Sequence, residues 1–192
     1  MKRLIPLAAL TLVAACKPPP TDSAVARVSL LAPASGPSVP IASPDVTGAA
    51  WAGTDTPLRL VYGIPGQPVL LALQCLKPQT PEARLRITRH APADEGASAL
   101  LALIGNGWIG RWPVDAVEVG TRRVWQGDVS PMMREWGALK PEREATVTVP
   151  GAGLLKLNRS PLPMALIEEC RKQPETAPLP ESSEAVAALP AG

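Results

Sequence analysis

The stretch Ala145-Thr146-Val147-Thr148-Val149-Pro150-Gly151-Ala152-Gly153-Leu154-Leu155-Lys156-Leu157 decides the fold class. Side chains on extended backbone alternate between two faces. Val147 and Val149 therefore share one face, and Leu155 and Leu157 share a face of the returning strand. The Pro-Gly-Ala-Gly segment between the two runs supplies turn residues, so the stretch predicts a β-hairpin with one apolar face.

Similar short apolar runs recur upstream, each closed by glycine or proline. Leu58 to Tyr62 alternates and is broken by Gly63-Ile64-Pro65-Gly66. Val69 to Cys75 (VLLALQC) is nearly continuous and reads as a buried strand, as does Ala99 to Ile104. Arg84 to Thr88 alternates, with Leu85 and Ile87 on one face and Arg84, Arg86 and Thr88 on the other. Gly105-Asn106-Gly107 joins the Ala99–Ile104 run to Trp108–Trp112 as a second hairpin. Strands at this spacing predict a mostly β domain, a small β-sandwich or barrel-like fold. One or two short helices accompany it. Ser130-Pro131 offers an N-cap and a first-turn proline ahead of Met132, Met133 and Trp136. A C-terminal helix over about 163–172 carries an apolar stripe of Leu166, Ile167 and Cys170, with Leu162 one turn earlier.

The amino terminus reads differently. Lys2 and Arg3 precede the apolar run Leu4–Val13, and the small residues Ala14 and Ala15 lead to Cys16. This is the order of a secretory signal, too short to remain as a spanning helix of roughly 20 residues. Val13-Ala14-Ala15-Cys16 resembles the lipobox of bacterial lipoproteins. That resemblance implies cleavage before Cys16 and attachment of acyl chains to its thiol, with each buried CH₂ contributing about 0.8 kcal/mol to anchoring. Lys17, where an aspartate favours inner-membrane retention in that family, implies an outer-membrane anchor facing the periplasm. The resemblance covers the first sixteen residues only. For the remainder, a small disulfide-bonded β domain on a lipid anchor is loosely similar in architecture to periplasmic lysozyme-inhibitor lipoproteins, a likeness that carries no residue across.

Composition divides the rest. Proline occurs 24 times in 192 residues, eight of them within 17–57 and four within 172–192. Segments poor in large apolar side chains bury too little surface to offset ordering entropy. The chain is therefore expected to comprise a signal peptide over 1–15, a Pro-rich tether over 16–48, one domain over 49–172 and a disordered tail over 173–192. With Lys2 and Arg3 set aside, 17 basic residues face 17 acidic ones, so no basic footprint for nucleic acid appears.

Beyond Cys16 the only cysteines are Cys75 and Cys170. In an oxidising compartment such a pair is expected to form a disulfide, the alternative being two separate buried thiols. His90 is the only histidine, and with Asp94 it could serve a hydrolase as general base and orienting acid. No G-x-S-x-G elbow, zinc spacing, EF-hand, P-loop or dinucleotide fingerprint accompanies it. Neither metal nor cofactor is therefore expected. Paired glycosidase carboxylates stay open, because their separation is spatial.

Arg84, Arg86 and Arg89, next to His90, form the candidate surface for an anionic partner. The alternative is that these charges protect a sheet edge. Trp108, Trp112, Trp125 and Trp136 either line a groove or replace the absent phenylalanines in the core. The sequence thus predicts a non-enzymatic envelope lipoprotein that contacts an envelope protein or anionic polymer. A hydrolase of cell-wall or lipid substrates built on His90, and an assembly factor for an outer-membrane or secretion component, are the alternatives.

Overall fold

The computed structural model describes residues 39–172; Cys16, the signal segment, most of the Pro-rich stretch and the tail lie outside the described residues. The strands are β1 (Ala50–Gly53), β2 (Arg59–Gly63), β3 (Leu71–Leu76), β4 (Arg84–Arg89) and β5 (Ser98–Gly105). They continue as β6 (Trp108–Val119), β7 (Arg122–Val129), β8 (Ala145–Thr148) and β9 (Leu154–Leu157). All nine join one curled sheet in the order β1-β2-β3-β4-β7-β6-β5-β8-β9, and every neighbouring pair is antiparallel. The architecture is the barrel-like one, a half-barrel made from a single sheet. A 3₁₀ helix (Arg134–Leu139) lies between β7 and β8, and α1 (Leu162–Arg171) ends the described chain.

Alternation along the strands fills the inner face. Leu71, Leu73 and Cys75 of β3, Leu85 and Ile87 of β4, Leu101 and Leu103 of β5, and Leu155 and Leu157 of β9 are all buried. Each such leucine or isoleucine contributes about 1.5–3 kcal/mol by leaving water. The tryptophans complete this core. Trp112, Trp125 and Trp136 are buried and Trp108 is partly so, with the Trp112 and Trp136 rings 4.2 Å apart. They occupy the space that phenylalanine would fill elsewhere.

β5 departs from the continuous burial predicted for Ala99–Ile104. Leu101 and Leu103 face inward, while Leu100 and Ile104 are 56% and 42% exposed. The core covers only one face of the sheet, so an apolar run on this strand alternates like any other.

The hairpin over 145–157 forms as expected, with Thr148 opposite Leu154. Gly151 and Gly153 both take left-handed backbone, and a Cβ on Gly153 would stand 2.7 Å from the Ala42 carbonyl oxygen. That close approach exists because residues 41–43, assigned to the tether by composition, run along the hairpin. The Ile41 amide donates to the Gly151 carbonyl at 2.9 Å, and the Leu154 amide donates to Ser43 Oγ at 3.0 Å. The β5–β6 hairpin turns on Asn106-Gly107, since Gly105 already pairs with Trp108. Both turn residues have positive φ, as a tight two-residue hairpin turn demands.

α1 spans Leu162–Arg171, within a residue of its expected limits, and lays Leu166, Ile167 and Cys170 on the sheet's inner face. Cys170 is bonded to Cys75 of β3, with Cα atoms 5.6 Å apart. The helix expected from Ser130 is corrected. Ser130 Oγ accepts from the Met132 amide within a turn, and the short 3₁₀ helix starts only at Arg134, without a side-chain cap. The Trp136 indole N–H donates to the Ser130 carbonyl at 3.0 Å, which folds the segment back on itself and holds Trp136 in the core.

Candidate functional site

With the inner face packed, chemistry is available on the outer face. Register places its side chains in rows across the strands. Arg59 of β2, Gln74 of β3, Arg86 of β4 and Asp128 of β7 stand opposite one another in sequence across four strands. The next row runs Ala72, Thr88, Gln126, Asp115 and Ser98. His90 follows beyond β4, its amide donating to the Leu70 carbonyl at 3.0 Å.

These rows enclose a cleft of about 350 Å³, lined by Arg59, Gln74, Arg86, Thr88, His90 and Gln126. Ala72 makes its low floor, and Glu118 and Val119 from the β6–β7 hairpin close one side. Several walls are fixed by cross-strand bonds. Arg86 donates from Nε and Nη2 to the two oxygens of Asp128, each at 2.7 Å. Such a bidentate pair raises the pKa of Arg86 through its hydrogen bonds to Asp128. Gln126 Nε2 donates to Thr88 Oγ1 at 2.9 Å, and Ser98 Oγ donates to Asp115 at 2.6 Å. Glu118 accepts from Arg123 at 3.1 Å. Arg59 has no carboxylate partner among the described residues.

The three arginines singled out in the sequence are separated by the fold. Arg84 and Arg86 share the outer face, as alternation requires. Arg84 donates to its neighbour's Ala83 carbonyl at 3.0 Å and lies outside the cleft. Arg89 does not join them. It has the parity of Leu85 and Ile87, is only 2% exposed, and points to the inner face. There its Nη1 donates to the Leu70 carbonyl at 3.0 Å and its Nη2 to the Ala152 carbonyl at 3.1 Å. Burial lowers its pKa to about 10, which still leaves it a cation at neutral pH. Arg89 is thus an internal strut to the β8–β9 turn, and an external partner cannot reach it. Edge protection is also excluded for this row, because β4 lies inside the sheet between β3 and β7.

His90 lines the cleft, and its pKa is lowered first by burial and then by Arg59, Arg89 and Arg122. Its Nε2 is sealed from solvent and has no hydrogen-bond partner among the described residues. No group of three or more His, Cys, Asp or Glu side chains disposed to hold a metal occurs among the described residues.

Sequence reasoning missed Arg59, Gln74 and Gln126. Gln74 carried a readable signal, being the single polar residue in the run VLLALQC, which has to face outward if its neighbours face the core. No family model, curated protein or solved structure matches the chain.

Proposed function

We propose that the protein is an exported lipoprotein of the cell envelope. Acyl chains on Cys16 hold it at a membrane, and it acts as a non-enzymatic binding module through the outer face of β2, β3, β4 and β7. The observation that carries this reading is the Cys75–Cys170 bridge. Such bonds form and persist in oxidising compartments, which agrees with a signal ending in Val13-Ala14-Ala15-Cys16. Lys17 after the lipidated cysteine favours the outer membrane, with the domain in the periplasm.

The outer-face cleft supports binding over catalysis. It presents guanidinium and amide donors held by cross-strand contacts, which suits recognition of an anionic envelope partner. For a hydrolase centred on His90, the surroundings are adverse. Burial and three arginines oppose the imidazolium that a general base forms when it takes a proton.

Feeding labelled palmitate to expressing cells tests the anchor. The wild-type chain should carry label and sediment with membranes, whereas Cys16→Ser should do neither. An unlabelled wild type, or a labelled Cys16→Ser, would sink the proposal.

A further inference from the structure

We propose that the cleft of Arg59, Gln74, Arg86, Thr88 and Gln126 is a binding site for a phosphodiester carrying a polyol, the chemistry of a glycerophosphoryl group. The proposal deepens the binding-module reading by naming the ligand class, and it uses none of the evidence for the anchor.

Charge comes first. Arg86 is neutralised by Asp128, and Glu118 by Arg123. Arg59 is left as the cation in the cleft without a carboxylate partner among the described residues. One uncompensated charge suits a monoanion such as a diester better than a doubly charged monoester.

Geometry comes second. Arg59 and Arg86 lie two strands apart, roughly 10 Å at the backbone from the usual strand spacing. Both line the cleft, with Gln74 between them in the register, so an oxyanion seated there lies within reach of both guanidinium groups. Arg86 is pinned through Nε and Nη2, which leaves its Nη1 edge to donate without further ordering.

The third consideration is the spread of neutral groups. Gln74, Thr88 and Gln126 come from three neighbouring strands, with Gln126 Nε2 donating to Thr88 Oγ1 at 2.9 Å and Gln74 beside Arg86 in the adjacent row, so neutral polar groups continue along the cleft from the arginine pair. A diester flanked by hydroxyl and ester oxygens supplies acceptors along that length. His90 also lines the cleft, where Arg59, Arg89 and Arg122 all act on it.

The test is a titration of the purified full-length protein with glycerophosphoglycerol, followed by NMR and calorimetry. Acetate runs in parallel, and phosphatidylglycerol and phosphatidylcholine vesicles serve as competitors. Expected is saturable binding that perturbs the side-chain signals of Gln74 and Gln126, with acetate at least tenfold weaker. Arg59→Gln should weaken binding at least tenfold while leaving the circular dichroism spectrum and the disulfide unchanged. Displacement of the probe by phosphatidylglycerol vesicles would identify a lipid headgroup as the source. Binding of the soluble probe that vesicles do not displace would identify a free glycerophosphodiester. Absence of saturable binding, equal affinity for acetate, or an unaffected Arg59→Gln variant would overturn the site. Palmitate labelling is independent of these readouts, so failure of the anchor and failure of the cleft are told apart.

Discussion

His90 is the only histidine in the chain, so its titration is observable without overlap. An imidazole in the unfolded chain titrates near 6.5, while burial and then Arg59, Arg89 and Arg122 lower the value in the folded protein. As pH falls below 6.5, the unfolded chain takes up the proton first. Stability therefore declines from about pH 6.5 down through the folded pKa, and is fully present above that window. An NMR titration of the His90 ring should give a midpoint below 6.5, and Arg59→Gln should raise it by removing one of the three cations. A midpoint at or above 6.5, or one unmoved by Arg59→Gln, would contradict the placement of His90 among these charges. Arg89, the adjacent residue, shows how parity divides chemistry on one strand. His90 faces the outer cleft, while Arg89 donates its guanidinium inward, to the Leu70 carbonyl beside β3 and to the buried Ala152 carbonyl of the β8–β9 turn.

At the scale of elements, the disulfide decides how firmly α1 is held to β3. It closes a loop of 95 residues, a constraint worth roughly 4–5 kcal/mol on the chain-entropy model and often less when measured. The Cys75→Ala/Cys170→Ala double variant should lose about 3 kcal/mol in urea denaturation. A loss under about 1 kcal/mol would mean that Leu166 and Ile167 secure the helix unaided. Elements were legible in the sequence where one periodicity ran between clear turns. The 145–157 hairpin and α1 are of that kind, and the pairing of Cys75 with Cys170 followed from there being no other partner after Cys16. Ala99–Ile104 was misread because its outward positions are apolar too, so the run hides its alternation. Ser130-Pro131 has the chemistry of a helix start, but the Trp136 indole competes for the Ser130 carbonyl and turns the chain first.

The whole molecule adds what no single run contains, the adjacency of distant strands. Arg86 and Asp128 are 42 residues apart in sequence and meet because the chain crosses from β4 to place β7 beside it. Thr88 and Gln126, 38 apart, meet for the same reason. Half of the cleft was therefore invisible before register was known, although the outward parity of Arg86 and Thr88 was readable. The same topology leaves two edges, β1 and β9, which do not pair with each other. Exposed edges invite pairing with other chains, and here the seam is stitched by Asn158. Its Nδ2 donates to the carbonyl of buried Ala49 at 2.5 Å, and its backbone amide donates to the Tyr62 hydroxyl at 3.2 Å. Asn158→Ala removes the first bond and leaves the Ala49 carbonyl without its donor, a loss of about 1–2 kcal/mol. Urea denaturation should show that loss. Hydrogen exchange should quicken about tenfold at β1 and β9 amides while β4 amides keep their protection, because local opening starts where the fewest contacts hold. Uniform acceleration across all nine strands would mean that the seam and the core open together. Unchanged exchange at both edges would mean that residues 41–43, through Gly151 and Leu154, hold the edge without Asn158.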